Sequence, residues 1–225
     1  MAHPLDNMVW NALAGPQARL GVTNGLARRF DPDIAIFAAV ERPLESLDGL
    51  AEIIPQGGRV GLVSIGLLTL PAHLEVVSTG EVTQLTAERF APVATGGVTF
   101  RDLTAEDVPQ MIELVTLTRP GPFAHRTIEM GHYIGVFDGE RLIAMTGERL
   151  RLDGFGEVSA VCTHPDYQGR GIAKALVSVI GSEIVARGEV PFLQAYTGNA
   201  AAIATYVRLG FAPRRNLIFT MIKRR

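Results

Sequence analysis

Residues 161–174 read Val161-Cys162-Thr163-His164-Pro165-Asp166-Tyr167-Gln168-Gly169-Arg170-Gly171-Ile172-Ala173-Lys174. This stretch constrains the chain most, because it reads as the end of a strand, a short turn and a glycine-paced entry into a helix. Beyond Gly169 the period becomes 3.6: Ile172, Leu176, Val177, Ile180 and Ile184 fall on one apolar face, and Arg187-Gly188 closes the helix. The first turn of a helix carries unpaired N–H groups and partial positive charge, and glycines allow close approach to the backbone, so the junction suits an anion. It has neither the P-loop spacing nor the dinucleotide-binding Gly-x-Gly-x-x-Gly. Taken alone, Gly169 and Gly171 are equally compatible with a tight strand-to-helix turn. Arg170 and Lys174 serve either as added charge beside a phosphate or as solvated helix residues.

The 225 residues suffice for one large domain or two small ones, and 47% hydrophobic with 20% charged residues is the balance of a packed protein. A formal charge of −2 and the lack of a basic aromatic stripe argue against a nucleic-acid partner, and no apolar run approaches the length of a membrane span. The single cysteine, Cys162, excludes an internal disulfide and a cysteine-rich metal site, so no metal is expected. With Asp6 and Asn7 interrupting the start, no signal pattern is visible, and a soluble, cytoplasmic protein is the expectation.

In order, Leu5, Met8, Val9, Ala12 and Leu13 predict a short helix ended by Gly15-Pro16. Strands are expected at 34–40 and 60–65, around a helix over 43–54 with Leu47, Leu50 and Ile54 inward. A hairpin is expected over 73–85 around Thr79-Gly80. Ala91-Pro92-Val93-Ala94-Thr95-Gly96-Gly97 reads as a linker between an N-terminal α/β domain, 1–94, and a second domain, 95–225. After it come a strand at 98–101, a helix begun by a capping box from Thr104 or by Asp107, and a short helical piece at 126–130. A hairpin through Asp138-Gly139 and a strand over 157–163 lead to the junction. A strand at 190–195, a helix capped by Asn199 and closed by Gly210, and a strand at 216–222 follow.

The Gln168-Gly169-Arg170-Gly171-Ile172-Ala173 segment matches [Gln/Arg]-x-x-Gly-x-[Gly/Ala], and a second run follows at the expected distance: Asn199-Ala200-Ala201-Ala202-Ile203-Ala204-Thr205-Tyr206-Val207-Arg208-Leu209-Gly210-Phe211. With both motifs and this order of elements, residues 97–225 resemble the GNAT superfamily of acyl-CoA-dependent N-acetyltransferases. The resemblance implies an α/β (α+β) fold, a mixed, mostly antiparallel sheet flanked by helices. It also implies acetyl-CoA as co-substrate. Backbone groups of Val161 and Thr163, with Cys162 between them, would pair with the pantetheine arm. N–H groups from Gln168, Gly169, Arg170, Gly171, Ile172, Ala173 and Lys174 would hold the pyrophosphate. Asn199 matches a coenzyme-contacting residue, although as an N-cap it needs no such role. Residues 1–94 are open as a degenerate copy of the same fold or a lid and homodimerisation unit. Because they carry no second pyrophosphate motif, one coenzyme site per chain is expected.

Acyl transfer needs an uncharged amine, a polarised thioester and a proton for the departing thiolate. Deprotonating a lysine-like amine at pH 7 costs about 4.6 kcal/mol and an α-amine about 1 kcal/mol, so a base matters mainly for the former. Tyr206 stands at the position of the family's tyrosine, whose role is general acid. Proton transfer from a tyrosine to a thiolate is uphill by about 2 kcal/mol. The other reading of Tyr206 is a core aromatic. Glu157, on one strand face with Ser159, Val161 and Thr163, is the leading candidate base. Glu148, His125, His132, His164 and a water relay stand as rivals. Gln194 occupies the position of a glutamate in protein N-terminal acetylating relatives and cannot be a base. Cys162 points to the opposite face and reads as a buried structural thiol. The oxyanion would be met by backbone N–H of the family's fourth strand. The acceptor is expected to be a small-molecule or peptide primary amine. A non-catalytic acyl-CoA sensor is the alternative function.

Overall fold

A computed structural model describes residues 3–41 and 43–225, with the side chains of 43–46 outside the description. The chain opens with a 3-10 turn running into helix α1, Met8–Ala14, which buries Leu5, Met8, Val9, Ala12 and Leu13 as the spacing predicts. A small antiparallel sheet follows, β1 (Gly21–Asn24), β2 (Ala27–Phe30) and β3 (Ala38–Val40), covered by α2, Pro43–Ile53. Only the end of the strand expected over 34–40 is extended. Ile34 and Ala35 are turned back onto Asp31 by hydrogen bonds of 2.9 and 3.0 Å to its carbonyl.

The remaining elements are β4 (Arg59–Ser64), β5 (Leu74–Thr86), β6 (Arg101–Asp102), α3 (Val108–Thr118), β7 (Tyr133–Asp138), β8 (Arg141–Leu152), β9 (Phe155–Thr163), α4 (Ile172–Ala186), β10 (Val190–Tyr196), α5 (Ala200–Val207) and β11 (Ala212–Arg224). Their strands form one eight-stranded sheet in the order β4-β11-β5-β10-β9-β8-β7-β6. All neighbours are antiparallel except β9 and β10, and the crossover that a parallel pair requires is α4.

The hairpin expected around Thr79-Gly80 does not form. Residues 74–86 run as one strand because β11 pairs with them from Leu74–Arg224 to Thr86–Ala212, while β10 takes the other edge from Val82–Tyr196 to Thr86–Phe192. Gly80 serves close approach instead of a turn: a Cβ there would lie 3.3 Å from the Tyr196 ring. The boundary expected at 94/95 therefore follows a strand lying between β10 and β11. Residues 59–86 share backbone hydrogen bonds with the strands that come after the linker.

Side-chain packing crosses the same point. Leu5, Met8 and Phe37 cluster with Leu150, Leu152, Phe192 and Leu217. On the opposite face α4 buries the predicted stripe, Ile172, Leu176, Val177, Ile180 and Ile184, against Val158, Leu193 and Ile143. Helix α3 sets Met111 and Leu114 against Tyr133, Met145 and Cys162. Its approach turn is held by the capping box expected from Thr104, with Asp107 accepting from the Thr104 N–H at 2.8 Å.

Candidate active site

The site begins where β9 and β10 part. They pair only from Phe155–Val190 to Glu157–Phe192 and separate beyond. On its other edge β9 slips register against β8 between Ser159 and Cys162, and Ala160 within the slip has φ 51°. A β-branch-free residue tolerates that conformation at a cost of roughly 1–3 kcal/mol, and such bulges re-aim the following residues. The result is a cleft between Val161, Cys162 and Thr163 on one side and β10 with α5 on the other.

Two cavities share this cleft, both lined by Val161, Cys162, Thr163, Gln168, Asn199, Ala202 and Tyr206. The first, about 570 Å³, extends over Gly169, Gly171, Ile172, Ala173 and Lys174 at the N-terminus of α4. Gly169 and Gly171 have φ of 75° and 77°, which side-chain-bearing residues rarely adopt, and no atom lies within 4 Å of where their Cβ atoms would stand. An open backbone cradle at the start of a fifteen-residue helix fits a pyrophosphate. In the walls, the Thr163 hydroxyl is buried and lacks a hydrogen-bond partner among the described residues, so the cleft offers a polar group to an amide-rich arm. Arg170 is the one candidate coenzyme residue outside the cavity walls. It folds back, donating to the Asp166 carbonyl at 3.0 Å with its guanidinium 4.8 Å from the Tyr167 ring centre. Asn199 caps α5 through the Ala202 N–H at 3.2 Å and also lines both cavities, so its two readings coexist.

The second cavity, about 260 Å³, continues past Tyr206. Its walls are Arg119-Pro120-Gly121-Pro122 after α3, Arg149, Gln194 and Tyr196, and Phe219 on β11. Phe37, Val63 and Val82 complete it, so the first 94 residues build part of this wall. Tyr206 stands at the junction, its ring edge-on to Phe211 at 6.2 Å. Burial, reinforced by neighbouring Cys162, pushes its phenol up to about 12, so it holds its proton at neutral pH. Burial likewise pushes the Cys162 thiol up to about 12, against the opposing hydrogen bond from Thr118.

Glu157 lies beneath this cavity, fully buried. Arg149 donates to both its oxygens at 2.8 and 2.9 Å, Gln194 donates at 2.9 Å, and the Leu150 N–H adds a fourth bond at 3.3 Å. The rival candidates are elsewhere. Glu148 pairs with Arg187 at 2.6 Å, His132 bridges Asp102 and Glu183, and His164 caps its own turn and meets Arg141 at 2.8 Å. His125 is exposed in the segment before β7, and none of the four lines either cavity.

Sequence reasoning passed over Arg149, Phe37, Phe219 and Tyr196. Arg149 had a signal: an arginine that falls opposite Glu157 across the hairpin of β8 and β9. The aromatic residues had none, because their meeting depends on β11 and β5 lying side by side.

A family model described as "FR47-like protein" matches residues 133–220. N-alpha-acetyltransferase RimI of Mycobacterium tuberculosis is 40% identical over 83 residues, which are 36% of this chain and 51% of that one. The chain thus spans about half the length of that curated relative. A solved structure from Novosphingobium aromaticivorans, described as from the GNAT family, is 38% identical, with a TM-score of 0.92 and the whole of both chains covered. A GCN5-related N-acetyltransferase from Kribbella flavida shares the fold, with a TM-score of 0.62 at 16% identity over 96% of this chain and 95% of that one.

Proposed function

The chain belongs to the GNAT family of acetyltransferases, and from that premise we propose that it moves an acetyl group from acetyl-CoA to a primary amine by direct attack. The observation that carries the reading is the meeting of two cavities at Tyr206. One has the backbone chemistry for a pyrophosphate and an extended amide arm. The other is walled in part by Phe37, Val63 and Val82 and leaves room for an acceptor.

In this reading Gly169, Gly171 and the first N–H groups of α4 hold the phosphates, with Lys174 adding charge. Val161 and Thr163 present backbone groups to the arm, and the bulge at Ala160 turns N–H groups of β9 towards the developing oxyanion. The neutral amine nitrogen forms its bond to the thioester carbon and the carbon–sulfur bond breaks. Tyr206 gives its proton to the leaving sulfur and is reprotonated by the proton that the amine releases.

A phenol near 12 facing an ordinary thiol near 8.5 makes that donation uphill by about 5 kcal/mol. The same burial raises the pKa of a thiolate formed beside it and narrows the gap. Cys162 is unsuited to carry the acetyl group itself, since its thiol stays protonated and packs under α3. We assign Glu157 the role of holding Arg149 and Gln194 at the cavity floor, because its carboxylate is taken up by four hydrogen bonds from neighbouring donors and it lines neither cavity. The ammonium form of the acceptor then loses its first proton to solvent before attack, and the second, released after attack, is the one that returns to Tyr206.

Incubation with acetyl-CoA and a set of primary amines, following free thiol and acetylated product together, tests the reading. Stoichiometric appearance of both is expected. Tight coenzyme binding without any transfer would refute it.

A further inference from the structure

The second cavity has a chemical bias. Among its described lining residues none is acidic, and the two charged ones are Arg119 and Arg149. Glu157, the carboxylate below, is spent on Arg149, Gln194 and the Leu150 N–H. It engages Arg149 through Nε and one terminal nitrogen. The other terminal nitrogen has no hydrogen-bond partner among the described residues, and the guanidinium lies 4.7 Å from the Phe37 ring centre. Around it the wall is apolar: Phe37, Val63, Val82 and Phe219.

We propose that the acceptor is an apolar amino acid: a primary amine bearing a carboxylate, which the free edge of Arg149 and the guanidinium of Arg119 receive, on an aliphatic or aromatic body seated against Phe37, Val63 and Phe219. The proposal rests on the acetyl-transfer reading above. Arg149 is balanced by Glu157, which leaves Arg119 as the net charge of the lining and no carboxylate on the wall to receive a second cation, so a polyamine or a lysine side chain finds no partner there. A carboxylate on the same molecule reverses that balance and gains charge-assisted hydrogen bonds, for which the planar fork of arginine is suited. Polycationic acceptors lack that compensation.

The test compares matched amines on the wild-type protein: L-phenylalanine with phenethylamine and with L-phenylalaninamide, L-leucine with isopentylamine, and spermidine. Removing or neutralising the carboxylate should lower kcat/KM about tenfold or more, and spermidine should be the poorest acceptor. Turnover of phenethylamine or the amide as efficient as that of phenylalanine overturns this inference alone, the amide result pointing to peptide N-termini instead. A preference for spermidine overturns it too. Acetylation of none of these amines overturns both the inference and the transfer reading.

Discussion

Two residues of the cleft divide the chemistry between proton and backbone. Cys162 sits beside Tyr206 yet is held protonated by burial among Met111, Leu114 and Tyr133, so the direct attack proposed above needs nothing from it. Cys162→Ala should keep kcat within about twofold while losing about 1 kcal/mol of stability from the removed sulfur. Steady-state kinetics with a denaturation curve checks both. Gly171 makes the opposite case. At φ 77° with open space over its Cα, Gly171→Ala introduces backbone strain at the proposed phosphate cradle. A loss of about 1–2 kcal/mol, or roughly tenfold in coenzyme affinity by titration calorimetry, is expected, with a much smaller change in kcat.

Among the elements, α3 carries a pH-dependent contribution. Arg101 donates to both oxygens of Asp107 at 2.7 and 2.8 Å, and the Thr104 N–H adds a third bond. Arg101, against the opposing effect of burial, brings the Asp107 carboxyl down to about 2 from its ordinary 3.8. A carboxyl lowered on folding stabilises fully above its unfolded pKa near 4, and that contribution disappears as the pH falls through 2. With Arg101 half exposed to solvent, about 1–2 kcal/mol is at stake. The fall in Tm between pH 4 and pH 2 should therefore be smaller for Asp107→Asn than for wild type. This capping box, the α4 stripe and the glycine turn were legible because each is written within a few consecutive residues. Strand β5 was not. Its Ser78-Thr79-Gly80 interrupts the alternation like a turn, and only the neighbouring β11, over a hundred residues away, keeps it extended. The antiparallel pair β1 and β2 was also missed, although Asn24-Gly25 at its turn, with Gly25 at φ 53°, is a hairpin signal. The second cavity stayed hidden for the same reason as β5. Phe37, Val63, Val82 and Phe219 come together only through non-local strand pairing.

At the scale of the whole molecule, the placement of β5 bears on how the chain is divided. We propose that residues 1–94 and 95–225 fold as one unit, because β5 joins β10 to β11 and α1 packs on β8. A fragment of residues 96–225 would leave two facing strand edges unpaired and the Leu150, Phe192 and Leu217 surface uncovered. It should lack a cooperative thermal transition by circular dichroism, whereas the full chain melts once. A fragment that melts cooperatively would restore the two-domain division. The same interleaving brings Phe37, Val63 and Val82 to the second cavity, so in the proposed reading the N-terminal part shapes the acceptor site. In the proposed reading transfer turns on Tyr206, which lines both cavities. The most direct measurement is kcat of Tyr206→Phe, by thiol release, beside its Kd for acetyl-CoA. The account predicts a fall in kcat of about 10²- to 10⁴-fold with Kd changed less than about threefold. Undiminished kcat, or a Kd that rises in step with the loss of rate, would contradict it.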